Sequence, residues 1–386
     1  MNAKSVTNQT SILRTLHTLS SGCKSFAITI SSNHKTTAFY SLPFLKLALP
    51  HPIVQPLLIL YSPAMGKYSS SSIWADITPT PLDEGPGPGP ALATIAYPEK
   101  YSEAMSYLRT VMAQNEYSDR CLALTEDIIS MNPAHYTVWL YRGKILQELN
   151  KDVYAELRWL EGISFKHLKN YQIWHHRQVL MSTLPSVPPN EIPFLTRILA
   201  LDTKNYHVWS YRQWLCMHFA SSMLSSSAEL AATEALIVED VRNNSAWNHR
   251  YFLCFGADEL RLGKEEVRKV VDEELIDREV EYTKAKIRLA PQNQSPWNYL
   301  KGVLKRGGRS LVEEQEFAAG FVGDVNGEEV RSCHAVDWLA ECFAEQGESE
   351  KAKECLEALG RKWDPVRKNY WDYRVKQLDS AVAAGA

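Results

Sequence analysis

The stretch Lys169-Asn170-Tyr171-Gln172-Ile173-Trp174-His175-His176-Arg177 has close copies elsewhere in the chain. They are Asn132 to Arg142 around Trp139, Lys204 to Arg212 around Trp209, Asn243 to Arg250 around Trp247, and Asn293 to Leu300 around Trp297. Successive tryptophans lie 35, 35, 38 and 50 residues apart, and Asn369 to Arg374 around Trp371 reads as a worn sixth copy. Self-similarity at such a period is the mark of a stacked array, in which each unit buries its apolar face only against the next.

Each unit has the same layout. An amphipathic segment comes first, as in Cys121, Leu124, Ile128 and Met131, whose three- and four-residue spacing predicts one helical face. A break follows, where Asn, or Ser295 before Pro296, is placed to cap the second helix. That helix carries Trp and, three residues on, Arg, which share a face. The indole is expected to fill the gap between hairpins and the guanidinium to reach the preceding connection. The predicted fold is therefore all-α, a right-handed or crescent-shaped α-solenoid of stacked helical hairpins. Because the Trp and Arg columns recur in nearly every copy, stacking explains them, and function belongs in what differs between copies. Leu300 stands where the other copies have Arg, so its connection is expected to pack differently.

The 386 residues exceed one ordinary single-core domain, which two or three domains or a repeat array would each explain. With 45% hydrophobic and 23% charged residues, the bulk is globular. Residues 1–64 carry Lys4, Arg14, Lys24, Lys35 and Lys46 and no acid, so the remainder holds 42 − 5 = 37 basic against 45 acidic groups. That acidic body argues against nucleic acid as a partner. Seven scattered cysteines without two-residue spacing fit a reducing compartment rather than a disulfide framework or a zinc site. The apolar run Leu47 to Ala64 is cut by Pro50, Pro52, Pro56 and Pro63, so no membrane span is expected there. Residues 1–64 have the composition of a transit peptide, a disordered extension or translated upstream sequence before a start at Met65. Residues 65–98, rich in Ser, Pro and Gly, read as a linker, with order expected from about Pro98 and the repeat domain spanning 99–380.

The Asn-x-x-x-Trp-x-x-Arg unit resembles that of protein prenyltransferase α subunits over residues 100 to 310. Lys169 to Arg177, Lys204 to Trp214, Asp240 to Phe252 and Ser295 to Gly302 are similar to the subunit shared by protein farnesyltransferase and type I geranylgeranyltransferase. Lys204 and Tyr206 favour that subunit over the α subunit of Rab geranylgeranyltransferase, which usually has Arg and Phe there. A tetratricopeptide-like protein-binding scaffold is the alternative from another class; its repeats call for small packing residues and a terminal Pro. The resemblance implies an obligate partner, a β subunit holding zinc and most of the substrate pocket, with magnesium assisting an isoprenoid diphosphate and CaaX-terminated proteins as acceptors. It implies a cytoplasmic enzyme, active only as the heterodimer, whose farnesyl or geranylgeranyl choice the partner sets. Lys169 matches the family's catalytic lysine, and Gln172 matches a residue that contacts the substrate's terminal carboxylate. Tyr136 is placed in the same pocket, and Tyr171, Tyr206 and His207 are either donors to the phosphates or interface packing. Asn205 is a site residue or a helix cap, and Lys204 a solvated loop lysine. No metal ligand is expected in this chain, since adjacent His175 and His176 point apart on a helix.

Overall fold

The computed structural model describes residues 66–82, 93, 95–223, 227–256 and 272–385. The expectations for residues 1–64 and for the Pro86 to Pro90 run fall outside the described residues. Those described from 66 onward belong to one compact unit, and no strand occurs among them.

Five antiparallel hairpins follow an opening helix, α1 (Glu99–Ala113). They are α2 (Asp119–Met131) with α3 (Tyr136–Glu148), α4 (Val153–Lys166) with α5 (Tyr171–Met181), and α6 (Glu191–Leu201) with α7 (Tyr206–His218). Next come α8 (Ser227–Glu239) with α9 (Asn244–Tyr251), and α10 (Glu273–Leu289) with α11 (Gln294–Arg306). Three further helices, α12 (Cys333–Glu345), α13 (Ser349–Ala358) and α14 (Lys368–Gly385), close the C-terminal end.

The second helices start where the asparagines put them. Asn170, Asn205, Asn243 and Asn293 each accept first-turn amides through Oδ1. In α11 the cap is Asn293 and not Ser295, which lies in the first turn beside Pro296, where the missing amide costs little. Asn132 also departs from expectation: Pro133 and Ala134 push it back, so His135 occupies the cap position without a side-chain bond.

The Trp and Arg columns exchange the tasks expected of them. The indoles of Trp139, Trp209, Trp247 and Trp297 donate to carbonyls of their own preceding connections, at Pro133, Thr203, Val241 and Pro291, over 2.8 to 2.9 Å. The arginines instead cross to the following hairpin. Arg142, Arg177, Arg212 and Arg250 make forked pairs with Glu156, Glu191, Glu229 and Glu279, all buried. The same glutamates receive a bond from their own hairpin, from His176, Tyr211, His249 and Tyr299 in turn, each 20 residues later. Every hairpin junction is thus clasped by one carboxylate shared between two repeats, as a buried charge requires.

The ladder stops in apolar residues at both ends. Cys121, 20 residues before Tyr141, stands in the glutamate column of the first hairpin, which has no preceding arginine to meet; Leu300 ends the arginine column, and both are fully buried. Beyond α11 the backbone turns through Gly308, at φ +68°, where a side chain would be strained.

One expectation about the linker is overturned. Gly66 to Leu82 lies against α1 and α2: Tyr68, Trp74 and Ile77 are buried, and Thr80 donates its amide to Thr110 Oγ1 at 3.0 Å. Trp74 packs edge-on against Tyr107 and beneath the Arg120 guanidinium, which forks onto Asp76. Period was the wrong criterion, because an irregular strap can be ordered by three apolar side chains covering the first hairpin. Met131, read as part of the α2 core face, is exposed, whereas Cys121, Leu124 and Ile128 are buried.

Candidate functional site

Successive connections between paired helices carry the chemistry expected of one edge of the stack. Tyr136, Tyr171 and Tyr206 occupy the first positions of α3, α5 and α7, and all three are more than 60% exposed. Exposed aromatics at equivalent places in three repeats are not needed for stacking and mark a contact surface.

The structure gathers Lys169, Tyr171, Tyr206, His207 and Asn205 where the second and third connections meet. The Lys169 side chain is 80% exposed, and its ammonium stands 3.7 Å from Asp202 Oδ2. Burial pushes the His207 imidazole below its ordinary value, against the opposing pull of the Lys169 backbone, and favours the neutral ring at pH 7. Tyr171 meets His207 edge-on at 4.3 Å, and Tyr206 meets it at 5.6 Å. Asn205 is buried and has two tasks. Its Oδ1 caps α7, while its Nδ2 donates to Leu168 O at 3.0 Å and so ties the Lys169 connection to the next repeat.

Tyr136 and Gln172 are brought together in a neighbouring place, a groove of about 610 Å³ between α3 and α5 that Leu140, Lys144, His175 and Val179 also line. Leu140 and Val179 are exposed apolar residues on its walls. Glu156 and His176, one rung of the ladder, border it as well.

Sequence reasoning missed Asp202 and the whole glutamate column. The signal was present: Glu156, Glu191, Glu229 and Glu279 stand 18 residues before Trp174, Trp209, Trp247 and Trp297. Among the described residues one group, Cys216, Glu229 and His249, sets ligand-type atoms within 4.8 Å of one another. It does not fit a metal ion. Arg212 takes both Glu229 oxygens, His249 Nε2 bonds to one of them, and burial pushes the Cys216 thiol up to about 12.

Five segments, 118–149, 153–184, 188–219, 226–256 and 276–307, match the protein prenyltransferase alpha subunit repeat. The farnesyltransferase/geranylgeranyltransferase type-1 subunit alpha of Candida albicans is 37% identical over 314 residues, covering 80% of this chain and 97% of that one. The chain belongs to the protein prenyltransferase α-subunit family. Its counterpart in Solanum lycopersicum is 38% identical over 320 residues, covering 78% of this chain and 88% of the relative. A solved chain of Candida albicans protein geranylgeranyltransferase-I complexed with GGPP aligns with TM-score 0.71 and 36% identity, covering 80% of this chain and 99% of that chain. The five matched α-subunit repeats coincide with the five hairpins, so the family repeat and the glutamate-clasped unit are the same object. No helix among the described residues is long and apolar enough to cross a membrane.

Proposed function

We propose that this chain is the α subunit of a heterodimeric CaaX protein prenyltransferase, which moves a farnesyl or geranylgeranyl group from its diphosphate to a cysteine near the C-terminus of a target protein. The reading is supported by the family membership and by the names of the relatives, which are those of one α subunit for both farnesyltransferase and type-1 geranylgeranyltransferase. Assembly with a β subunit follows from the same names, and a cytoplasmic location suits such an enzyme. A zinc ion in the partner would hold the acceptor cysteine as its thiolate, and magnesium would assist the diphosphate.

The observation that carries the site assignment is the exposed Lys169 ammonium set beside Tyr171, Tyr206 and His207 where two repeats meet. As the allylic carbon-oxygen bond breaks, negative charge gathers on the departing diphosphate, and a prepositioned ammonium stabilises it more than it stabilises the bound substrate. The tyrosine hydroxyls and the neutral imidazole add uncharged donors along the same edge. Gln172 and Tyr136, in the adjoining groove, are assigned to the terminal carboxylate of the acceptor. Asn205 acts on the site through the Lys169 connection that it tethers.

Single-turnover transfer by the purified heterodimer tests this. Lys169→Ala should lower the chemical rate by roughly 10² to 10³, the scale of losing one prepositioned donor, and weaken isoprenoid diphosphate binding much less. Lys204→Ala is the matched control, since Lys204 occupies the same place one repeat later and pairs with Asp240 at 3.5 Å. A wild-type rate for Lys169→Ala, or equal damage from Lys204→Ala, refutes the assignment.

A further inference from the structure

Lys169 is held from outside its own repeat. The next repeat's asparagine reaches back to the connection before it three times, Asn205 Nδ2 to Leu168 O, Asn243 Nδ2 to Thr203 O and Asn293 Nδ2 to Val241 O, but of the three only Leu168 O lacks its indole, since Trp174 Nε1 is buried with no hydrogen-bond partner. The third connection therefore provides two separate side-chain holds on the second: Asn205 on the Leu168 carbonyl and Asp202 on the Lys169 ammonium.

Asp202 is not a loose surface acid. Its amide closes the end of α6 on Ile198 O at 3.0 Å, its carbonyl receives the Asn205 amide at 3.1 Å, and its Oδ2 also accepts from Asn205 Nδ2 at 3.3 Å. The carboxylate is three-quarters covered, whereas the lysine it faces is mostly exposed. At 3.7 Å from Nζ it neutralises Lys169 while leaving that ammonium open to solvent on its other sides. A diphosphate that takes the ammonium comes to lie well within a Debye length of this fixed negative charge.

Resting on the assignment of Lys169 to the diphosphate, we propose that Asp202 is the resident counter-ion of Lys169, which the diphosphate displaces. It positions the ammonium in the empty enzyme. With ligand bound, its charge opposes that of the diphosphate, so it loosens ground-state binding and favours release of the diphosphate product. Asp202 touches neither reacting atom and is a positioning residue.

The test is inhibition of the intact heterodimer by inorganic diphosphate, run at about 0.02 M and about 0.5 M salt. Asp202→Asn keeps an acceptor for Asn205 and removes only the charge. The inhibition constant should fall roughly two- to fivefold at low salt, the range of one partly exposed charge pair, and the gain should vanish at high salt. Asp202→Glu should behave as wild type, and so should Asp240→Asn, which removes the equivalent partner of Lys204. An unchanged or raised constant for Asp202→Asn overturns the proposal. So does a gain that persists at high salt, one that Asp202→Glu shares, or one that Asp240→Asn reproduces. Lys169→Ala keeps the two readings apart. A wild-type chemical rate there defeats the catalytic assignment itself, whereas a damaged Lys169→Ala beside a neutral Asp202→Asn defeats only the counter-ion.

Discussion

Replacing Glu229 by Gln tests whether the carboxylate ladder holds the repeats together. Glu229 takes Arg212 through Nε at 2.6 Å and Nη2 at 2.9 Å, and His249 Nε2 stands 2.8 Å from the same Oε1. All three side chains are at most 5% exposed. Burial pushes the Glu229 carboxyl up, but the bonds from His249 and Arg212 outweigh it and bring the group from 4.5 down to about 2. A fall of about 2.5 units corresponds to about 3 kcal/mol of preference for the charged form in the fold. Gln discards that preference and leaves the Arg212 charge buried and unpaired, so the expected loss is about 3 to 5 kcal/mol. Urea unfolding of the heterodimer, followed by tryptophan fluorescence, measures it, and hydrogen exchange should place the weakening in α6 to α9. Arg212→Leu combined with Glu229→Cys copies the residues that end the ladder naturally and should recover most of the loss. The pH sign follows from the same shift. A depressed carboxyl contributes stability that is complete above about 4.5 and disappears as pH falls toward about 2, so Glu229→Gln should flatten the acid limb in that window. A single variant within about 1 kcal/mol of wild type, or a double variant as damaged as the single, would refute the clasp.

Two other perturbations separate structure from site. Trp74→Ala removes the buried anchor of the Gly66 to Leu82 strap and should cost about 3 to 5 kcal/mol, seen as a lower thermal midpoint with the chemical rate per folded enzyme unchanged. Asn205→Ser keeps a good cap on α7 but cannot span to Leu168 O; stability should change by under about 1 kcal/mol while single-turnover transfer slows and the amide of Lys169 exchanges faster.

The repeat, the helical class and the edge that carries Lys169 were legible because tryptophan spacing and asparagine caps are local signals, fixed within one hairpin. What the spacing did not disclose was direction. Nothing in Trp-x-x-Arg tells which neighbour each side chain addresses, and the structure sends the indole back to its own connection and the guanidinium forward to the next hairpin. The glutamate column escaped because its distance to the partner arginine varies, being 14, 14, 17 and 29 residues, with the length of the intervening connection. Its distance to the following His or Tyr is constant, and that was the recoverable signal. Asp202 was hidden for a different reason: its meaning comes from a lysine one repeat away, and composition gives a loop aspartate no such partner.

The second connection differs from the others in one bond. Four junctions are closed by buried carboxylates and four connections are pinned by their own indoles, which leaves a stiff stack with little freedom at its edges. Among the five described connections only that of Leu168 lacks its indole, so Asn205 of the next repeat holds that carbonyl alone, whereas Thr203 O and Val241 O are held by their indoles and by Asn243 and Asn293 together. A cation meant to follow charge onto a leaving group must be placed by rigid surroundings yet not be locked in a pair, since a tight buried partner would cancel it. The 3.7 Å pair with Asp202, open on the solvent side, meets both conditions, and the buried forks at Arg142, Arg177, Arg212 and Arg250 meet only the first. The role proposed for Lys169 thus suits a loosely paired connection lysine, of which Lys204 beside Asp240 at 3.5 Å is the matched case one repeat on, while the four buried ion pairs serve the stack.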